Sequence, residues 1–173
     1  MIIRLAERDL QTRFGTFHEV LYYDGQHESV ALVMGDVADK ENVLCRIHSA
    51  CLGGHVFNSI ECECAAEMAS AQVAIQLDGR GVIIYLDQEG KGNGHLALIQ
   101  SIPFKKAGYS QADAYVKAGF AADKRSYRVV TGILADLKVR SIVLLSNGAA
   151  KADALRSESI VVADIMSMTN DPA

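Results

Sequence analysis

The sequence has no tryptophan, only two prolines in 173 residues, and few aromatic side chains. It also has no block of basic residues, and its net charge is −4, which argues against binding to nucleic acid or to a membrane surface. No apolar run is long enough to form a membrane-spanning helix. The first ten residues carry charges where a secretory signal needs an apolar stretch, so we expect a cytoplasmic protein.

The composition is that of a globular protein. Half of the residues are apolar and 22% are charged, with no internal repeat and no low-complexity linker. A chain of this length can bury a substantial core, and we expect a single domain over residues 1–173. Four cysteines in a reducing compartment favour a metal site over disulfide bonds.

Apolar periodicity predicts strands followed by mixed helices and strands. Residues 12–22 and 27–34 are rich in β-branched and aromatic side chains, and Asp24-Gly25 between them indicates a hairpin turn. Further strands are predicted at about 42–48, 81–86, 141–145 and 159–165, and helices at 65–78, 94–107, 111–118, 126–138 and 149–156. The last residues, 169–173, are expected to fray. This order indicates an α+β fold with a mixed β-sheet flanked by helices.

Three cysteines form the pattern C-x10-C-x-C at Cys51, Cys62 and Cys64. Three thiolates with one open position are the ligand set of a catalytic zinc ion, although free cysteines are often simply buried in a core. Cys45 would complete a closed, structural four-thiolate site, but it alternates with apolar residues and is expected in the core. His48 and His55 are rival ligands.

A glycine-rich segment, Asp87-Gln-Glu-Gly-Lys-Gly-Asn-Gly94, follows the predicted strand at 81–86. Alternate glycines let a backbone approach a ligand closely, and the free N–H groups of the following helix could face an anion. Glu89 could accept hydrogen bonds from the N1–H and 2-amino groups of guanine. The alternative is an ordinary turn with a solvated charge.

Three further pairs of polar residues lie within or beside the predicted strands and helices. Arg46 and His48 share the strand face opposite Cys45, as a cationic pair suited to a phosphate. Asp123 and Arg125 straddle a predicted helix start, where an aspartate also serves as a helix cap. Ser146 follows the buried strand predicted at 141–145, and Lys151 lies about one turn later. Ligands gather at such strand ends in α/β sheets, although the segment is also typical of an ordinary strand-to-helix turn.

Together these motifs resemble the GTP cyclohydrolase II family over about residues 30–165. The resemblance rests on Arg46-Ile-His-Ser49, the three cysteines, Tyr85-Leu-Asp-Gln-Glu-Gly90, Gly119-Phe-Ala-Ala-Asp-Lys-Arg125 and Leu144-Leu-Ser-Asn147. It implies the fold of that family and a zinc-dependent hydrolysis in which activated water attacks C8 of GTP. Pyrophosphate is released, together with formate. A homodimer, and magnesium bound with the triphosphate, are also implied.

The resemblance implies roles for individual residues. Cys51, Cys62 and Cys64 would bind zinc, and Asp123 and Arg125 would be catalytic. Nucleotide-binding positions would be Arg46, His48, Ser49, Glu67, Glu89, Gly90, Lys91, Gln111, Ser146 and Lys151. The family's arginine is proposed to attack the α-phosphorus, but a guanidinium group is nearly always protonated, so we expect Arg125 to clamp phosphate and stabilise the transition state.

Several pocket positions depart from the family pattern. They are Ala50 for glutamate, Glu67 for glutamine, Lys91 for arginine, Ile102 for tyrosine, Gln111 for threonine, Ser126 for aspartate and Asn147-Gly-Ala149 for Asn-Asn-Pro. Loss of the tyrosine hydroxyl at position 102 could stop the reaction at a formylamino-pyrimidine. Two alternatives stay open: the same zinc chemistry on another nucleotide or heterocycle, and a non-catalytic nucleotide-binding module with structural zinc.

Overall fold

A computed structural model describes residues 2–168, which contain one seven-stranded sheet. The strands are β1 (Ile3–Thr12), β2 (Gly15–Tyr23), β3 (Glu28–Met34), β4 (Val43–Ser49), β5 (Gly81–Leu86), β6 (Ile142–Leu145) and β7 (Val162–Met166). Their spatial order is β1-β2-β3-β5-β4-β6-β7. Pairing is antiparallel from β1 to β5 and parallel from β5 through β4 and β6 to β7. The mixed sheet and the α+β class predicted from the sequence are confirmed.

Six helices connect the strands. They are α1 (Leu52–His55), α2 (Cys64–Asp78), α3 (His95–Lys106), α4 (Gln111–Lys117), α5 (Arg128–Asp136) and α6 (Ala149–Ser157). Helix α2 ends at Gly79, which adopts the left-handed conformation and so terminates the helix at the predicted residue.

Two hydrophobic clusters cover the faces of the sheet. On one face, side chains of α5 and α6 such as Ile133 and Leu155 pack on the strands. Val43, Cys45 and Ile47 belong to this cluster, as their alternation predicts. On the other face Ala71 and Ile75 of α2 pack against Leu44 and Ile83, so the sheet lies between two helical layers.

The parallel strands bring three loops to one edge of the sheet. Because β4, β5 and β6 run in the same direction, the residues after Ser49, Leu86 and Leu145 meet at their carboxyl ends. The cysteines follow β4, the glycine-rich segment follows β5, and Ser146 follows β6. Ligands in such sheets bind at this edge, which is where the chemistry-bearing residues of this chain gather.

Two elements were not predicted. Strand β1 is solvent-exposed along most of its length, with no consistently apolar face, so it lacks the alternation that identifies a strand. Helix α1 is only four residues long, below the length at which apolar periodicity can be recognised. Helix α5 begins at Arg128 rather than at 126. The predicted fraying of residues 169–173 lies outside the described residues.

Among residues 2–168, no helix combines the length and apolar character that crossing a membrane requires.

Candidate functional site

A cavity of about 450 Å³ opens at the carboxyl ends of the parallel strands. It is lined by almost every residue that the sequence singled out: Arg46, His48, Ser49, Cys51, Cys62, Cys64, Glu67, Glu89, Gly90, Lys91, Gln111, Arg125, Ser146 and Lys151. Asp123 does not line the cavity but is joined to it by an ion pair with Arg125. Residues separated by a hundred positions in sequence therefore share one pocket.

The three thiols of the cysteine motif converge. Their sulfur atoms all lie within 4.8 Å of one another, and Sγ of Cys51 is 3.6 Å from Sγ of Cys62. Burial, together with hydrogen bonds to the other two thiols, raises the pKa of Cys64. Burial opposes ionisation of Cys62 as well, but hydrogen bonds from its neighbours lower its pKa overall. Three thiolates this close repel one another, so full ionisation requires a cation among them.

The geometry of the sulfurs fits zinc. Three thiolates around one zinc ion at Zn–S distances of about 2.3 Å would have their sulfurs about 3.8 Å apart, close to the separation of Cys51 and Cys62. Thiolate is also the soft ligand that zinc prefers. The cluster is therefore able to bind this metal with three ligands from the chain.

Gly54 permits this convergence of the three sulfurs, although the sequence analysis did not identify it as a site residue. A β-carbon at Gly54 would lie 2.9 Å from Sγ of Cys62 and 3.4 Å from Sγ of Cys51. Its backbone N–H also faces Sγ of Cys51 at 3.4 Å. The signal was present in Cys51-Leu-Gly-Gly-His, where the second glycine follows the first cysteine by three residues, but only the folded turn reveals its role.

The rival ligands lie elsewhere. Cys45 is fully buried in the core, and burial raises its pKa to about 12, so it does not join the other thiols. His48 and His55 contact each other, with their Nε2 atoms 2.9 Å apart, and neither belongs to the group of possible metal ligands. A closed four-thiolate site is therefore wrong for this chain.

Arg46 is held by the protein on every side. Its guanidinium donates to the Glu67 carboxylate at 2.6 Å, to the Leu145 carbonyl at 3.0 Å and, through Nε, to Nδ1 of His48 at 3.3 Å. The side chain is only 4% exposed. Burial, with the positive charge of Arg46, lowers the pKa of His48 to about 3. The expected cationic pair therefore carries one charge at neutral pH, and that charge is already paired with Glu67.

Glu67 lies one turn after Cys64 on α2, so both side chains face the cavity. Arg46 binds its Oε2 atom, and the carboxylate remains about a quarter exposed. A ligand in the cavity therefore meets an oriented carboxylate at this position rather than a free arginine.

Glu89 is engaged at both of its oxygens. Oε1 accepts a hydrogen bond from the Leu52 N–H at 2.9 Å, and Oε2 lies 3.0 Å from Nδ1 of His95. The carboxylate is thus not a solvated turn charge, and each of its oxygens keeps a second lone pair with which it could accept a hydrogen bond from a base. It links the start of α1 to the start of α3. Helix α1 lies in residues 50–63, which we call the cysteine segment.

Asp123 and Arg125 form a close ion pair outside regular secondary structure. Asp123 accepts hydrogen bonds from the Arg125 backbone N–H at 3.0 Å and from its guanidinium at 2.6 Å. Although burial opposes it, this contact lowers the pKa of Asp123, and the carboxylate in turn raises the pKa of Arg125. Because α5 begins only at Arg128, the helix-cap interpretation of Asp123 is wrong.

Lys151 reaches the cavity from α6. Its Nζ donates to the Ile47 carbonyl at 2.9 Å. Burial is the main cause that lowers its pKa to about 7, and the charges of Arg46 and Arg125 add to the effect. Ser146 is buried beside it and bonds with its hydroxyl to Gly148. An anion in the cavity would restore the proton that burial removes from Lys151.

Several lining residues had no sequence signal. His95, Leu98, Ile99 and Lys105 come from α3, and Tyr115 comes from α4. They belong to helices whose boundaries were predicted, but which helical face turns toward the cavity depends on packing between α3 and α4.

Comparisons with known proteins agree with these observations. A family model described as GTP cyclohydrolase II matches residues 3–167. The chain is 40% identical over 165 residues to a GTP cyclohydrolase-2 of Pseudomonas aeruginosa, covering 94% of this chain and 80% of that protein. It is 38% identical over 166 residues to a riboflavin biosynthesis protein RibBA of Bacillus cereus. That match covers 95% of this chain but only 42% of the relative.

A solved structure has a similar fold. It is RibBX, a two-domain 3,4-dihydroxy-2-butanone 4-phosphate synthase from A. baumannii, with a TM-score of 0.51 and 18% sequence identity. The likeness covers 98% of this chain and 40% of the other. At that identity it concerns the fold alone.

Proposed function

Because the chain belongs to the GTP cyclohydrolase II family, we propose that it hydrolyses GTP by opening the imidazole ring. Pyrophosphate would be released, and the product would be a pyrimidine that has either lost formate or kept it as a formylamino group. The observation that carries this proposal is the convergence of three thiols on the same cavity as Arg125 and Lys151. The RibBA relative is named as a riboflavin biosynthesis protein, which supports a role for this reaction in that pathway.

Cys51, Cys62 and Cys64 would hold zinc, which supplies a Lewis acid that activates water at neutral pH. Arg125 would bind the phosphates near the scissile bond, because its guanidinium lines the cavity and is charged at neutral pH. A permanently charged guanidinium stabilises developing negative charge but does not act as a nucleophile. Magnesium would accompany the triphosphate.

Lys151 would add a second positive charge once an anion is bound. Glu67 would face the base, since Arg46 orients its carboxylate in the cavity. Glu89 would act indirectly, by fixing the start of α1 beside Cys51. We also propose a homodimer, which sedimentation velocity would reveal as a species of twice the 18.7 kDa chain mass.

A second candidate function is the same chemistry on a different nucleotide or heterocycle. The Glu67 carboxylate favours it, since a carboxylate accepts hydrogen bonds but cannot donate one. A base that offers only N–H donors at this position would be preferred over one that offers an acceptor. Turnover of GTP at a rate typical of an enzyme would contradict this alternative.

The test is an endpoint assay of zinc-loaded protein with GTP and magnesium, analysed by mass spectrometry beside other nucleotides. We expect loss of GTP with release of pyrophosphate. Cys62→Ser should lose both metal and activity, whereas Cys45→Ala should keep one zinc per chain, because Cys45 lies in the core. Intact GTP with another nucleotide consumed supports the second candidate. No turnover of any nucleotide overturns both and favours a binding module.

A further inference from the structure

Two loops that contribute residues to the cavity wall are joined to each other. We call residues 87–94 the glycine loop and residues 119–126, which carry Asp123 and Arg125, the arginine loop. The arginine loop contains no helix or strand of its own, so its shape depends on what it packs against. Its neighbour is the glycine loop.

Three hydrogen bonds connect these loops. The Lys124 N–H donates to the Lys91 carbonyl at 2.8 Å. The Asn93 side-chain amide donates to the Ala121 carbonyl at 2.9 Å, and the Gln88 side-chain amide donates to the Ser126 carbonyl at 2.7 Å. The contacts are spread along the arginine loop, before, beside and after the Asp123–Arg125 pair.

The backbones also touch directly. A β-carbon at Gly92 would lie 2.8 Å from the Lys124 carbonyl carbon and 3.0 Å from the Arg125 nitrogen. Gly92 has a φ of +79° and its neighbour Lys91 a φ of +54°. The close approach that alternate glycines permit is therefore made to the arginine loop of the same chain.

The glycine loop also contacts the cysteine segment, through Glu89. Glu89 accepts the Leu52 N–H, which lies next to Cys51. One eight-residue loop thus contacts both the segment that begins the thiol cluster and the segment that carries Arg125.

We propose that the glycine loop sets the separation between the metal end and the phosphate end of the cavity, with Asn93 and Gln88 as positioning residues for Arg125. The proposal rests on the proposed function for its catalytic meaning. Both partners of the Asn93 amide, the carbonyls of Ala121 and Gly90, are acceptors, so only an N–H donor fits there.

The first measurement is amide hydrogen exchange over residues 119–126, which needs no substrate. Asn93→Ala and Gln88→Ala should each speed exchange in this loop about five- to tenfold, the effect of losing one hydrogen bond. Asn93→Asp should be at least as severe as Asn93→Ala, because its carboxylate would face two carbonyl oxygens. Gln100→Ala, an exposed amide on α3, is the matched control and should change nothing.

The second measurement compares the affinities of GTP and guanosine by calorimetry in the Cys62→Ser background, in which GTP should not be turned over. If Asn93 positions Arg125, Asn93→Ala should reduce the advantage of GTP over guanosine about tenfold while guanosine binding stays the same. A general loss of structure would weaken both ligands.

Unchanged exchange in both alanine variants, or wild-type behaviour of Asn93→Asp, would overturn the positioning role. A wild-type chain that binds no GTP would contradict the proposed function instead, and the exchange rates would then decide the positioning role by themselves.

Discussion

At the scale of single residues, the site keeps a lysine where burial disfavours its charge. Lys151 makes one hydrogen bond, to the Ile47 carbonyl, and its pKa falls to about 7. A group held in this way weakens the folded state, which is common at binding sites and is offset by contacts elsewhere.

Replacing this lysine should stabilise the free protein. Lys151→Met keeps the length of the side chain and removes the buried charge, so we expect the free energy of unfolding at pH 7 to rise by up to about 4 kcal/mol, the free energy that corresponds to lowering a lysine pKa to about 7. Nucleotide binding should be lost at the same time. Urea denaturation with and without GTP measures both effects.

The stability difference between Lys151→Met and the wild type should depend on pH in a definite direction. In the unfolded chain the lysine titrates near pH 10.4, whereas in the folded chain its pKa is about 7. Between about pH 7 and pH 10 the Lys151 amine is protonated in the unfolded chain but neutral in the folded chain. The free energy of unfolding of the wild type therefore rises with pH, whereas that of Lys151→Met lacks this contribution. The advantage of the variant should be greatest at pH 7 and below, and vanish near pH 10. A difference that is constant with pH would contradict the assignment.

Ile102 is the second residue with a specific prediction. It lines the cavity from α3 and offers no hydroxyl where the resemblance places one. We expect wild-type protein to accumulate a formylated pyrimidine, and Ile102→Tyr to raise formate release about tenfold, a modest effect for an added acid–base group. Mass spectrometry and a formate assay would measure the ratio.

The matched control is Ile99→Tyr, which adds the same group to the same wall one turn earlier. It should leave the product ratio unchanged. Stoichiometric formate from the wild type would contradict the role given to position 102.

Which residues belong to the site was easier to predict from the sequence than their charge and their hydrogen-bond partners. The alternation of β4 correctly placed Arg46 and His48 on the face opposite Cys45. It did not reveal that His48 is neutral, which follows from burial and the nearby charge of Arg46, or that Arg46 is paired with Glu67 of α2. Such long-range pairs have no local signal.

At the scale of elements, the cysteine segment is a short helix and two turns with a small residue at its centre. Helix α1 is capped by Cys51 itself, whose sulfur faces the Gly54 N–H. The two glycines of α1 differ sharply in what surrounds them. A β-carbon at Gly53 would meet only Cβ of Ser59 at 3.6 Å, an ordinary contact, whereas one at Gly54 would crowd the sulfurs.

Gly54→Ala should therefore weaken metal binding, while Gly53→Ala should not. We expect the zinc affinity of Gly54→Ala to fall about 10- to 100-fold, the range found when groups next to metal ligands are changed. Competition with a chromogenic chelator measures this in both variants. Equal affinities would mean that the cluster rearranges to accept the methyl group.

Strands with a clear apolar pattern and helices with a strong termination signal could be predicted from the sequence. Strand β5 matches its predicted bounds, and α2 ends where Gly79 demands it. Strand β1 was missed because neither of its faces is consistently apolar. Asp123 has the chemistry of a helix cap and precedes the helix predicted from residue 126, but its actual partner is Arg125, two residues later.

At the scale of the whole molecule, the cysteine segment does not pack into either of the two hydrophobic clusters. No residue of the cysteine segment, 50–63, belongs to either cluster within the described part of the chain. Its large apolar side chains are exposed: Val56 at 60%, Phe57 at 68% and Ile60 at 99%. The Glu89 contact, and the metal that the proposed function assigns to the three thiols, would therefore contribute more to its order than burial does.

Removing the metal should loosen this segment without unfolding the sheet. After chelation we expect an unchanged far-ultraviolet circular dichroism spectrum, faster hydrogen exchange confined to about residues 50–64, and a melting temperature lower by about 5 °C. Cys62→Ser, which already lacks a complete ligand set, should not respond further to the chelator. Cooperative loss of the whole spectrum on chelation would instead mean that folding and metal binding are one event, as in zinc fingers. The sheet argues against that outcome, because one of its clusters buries Val20, Tyr22, Ile84 and Ile133 completely without any contribution from the three converging cysteines.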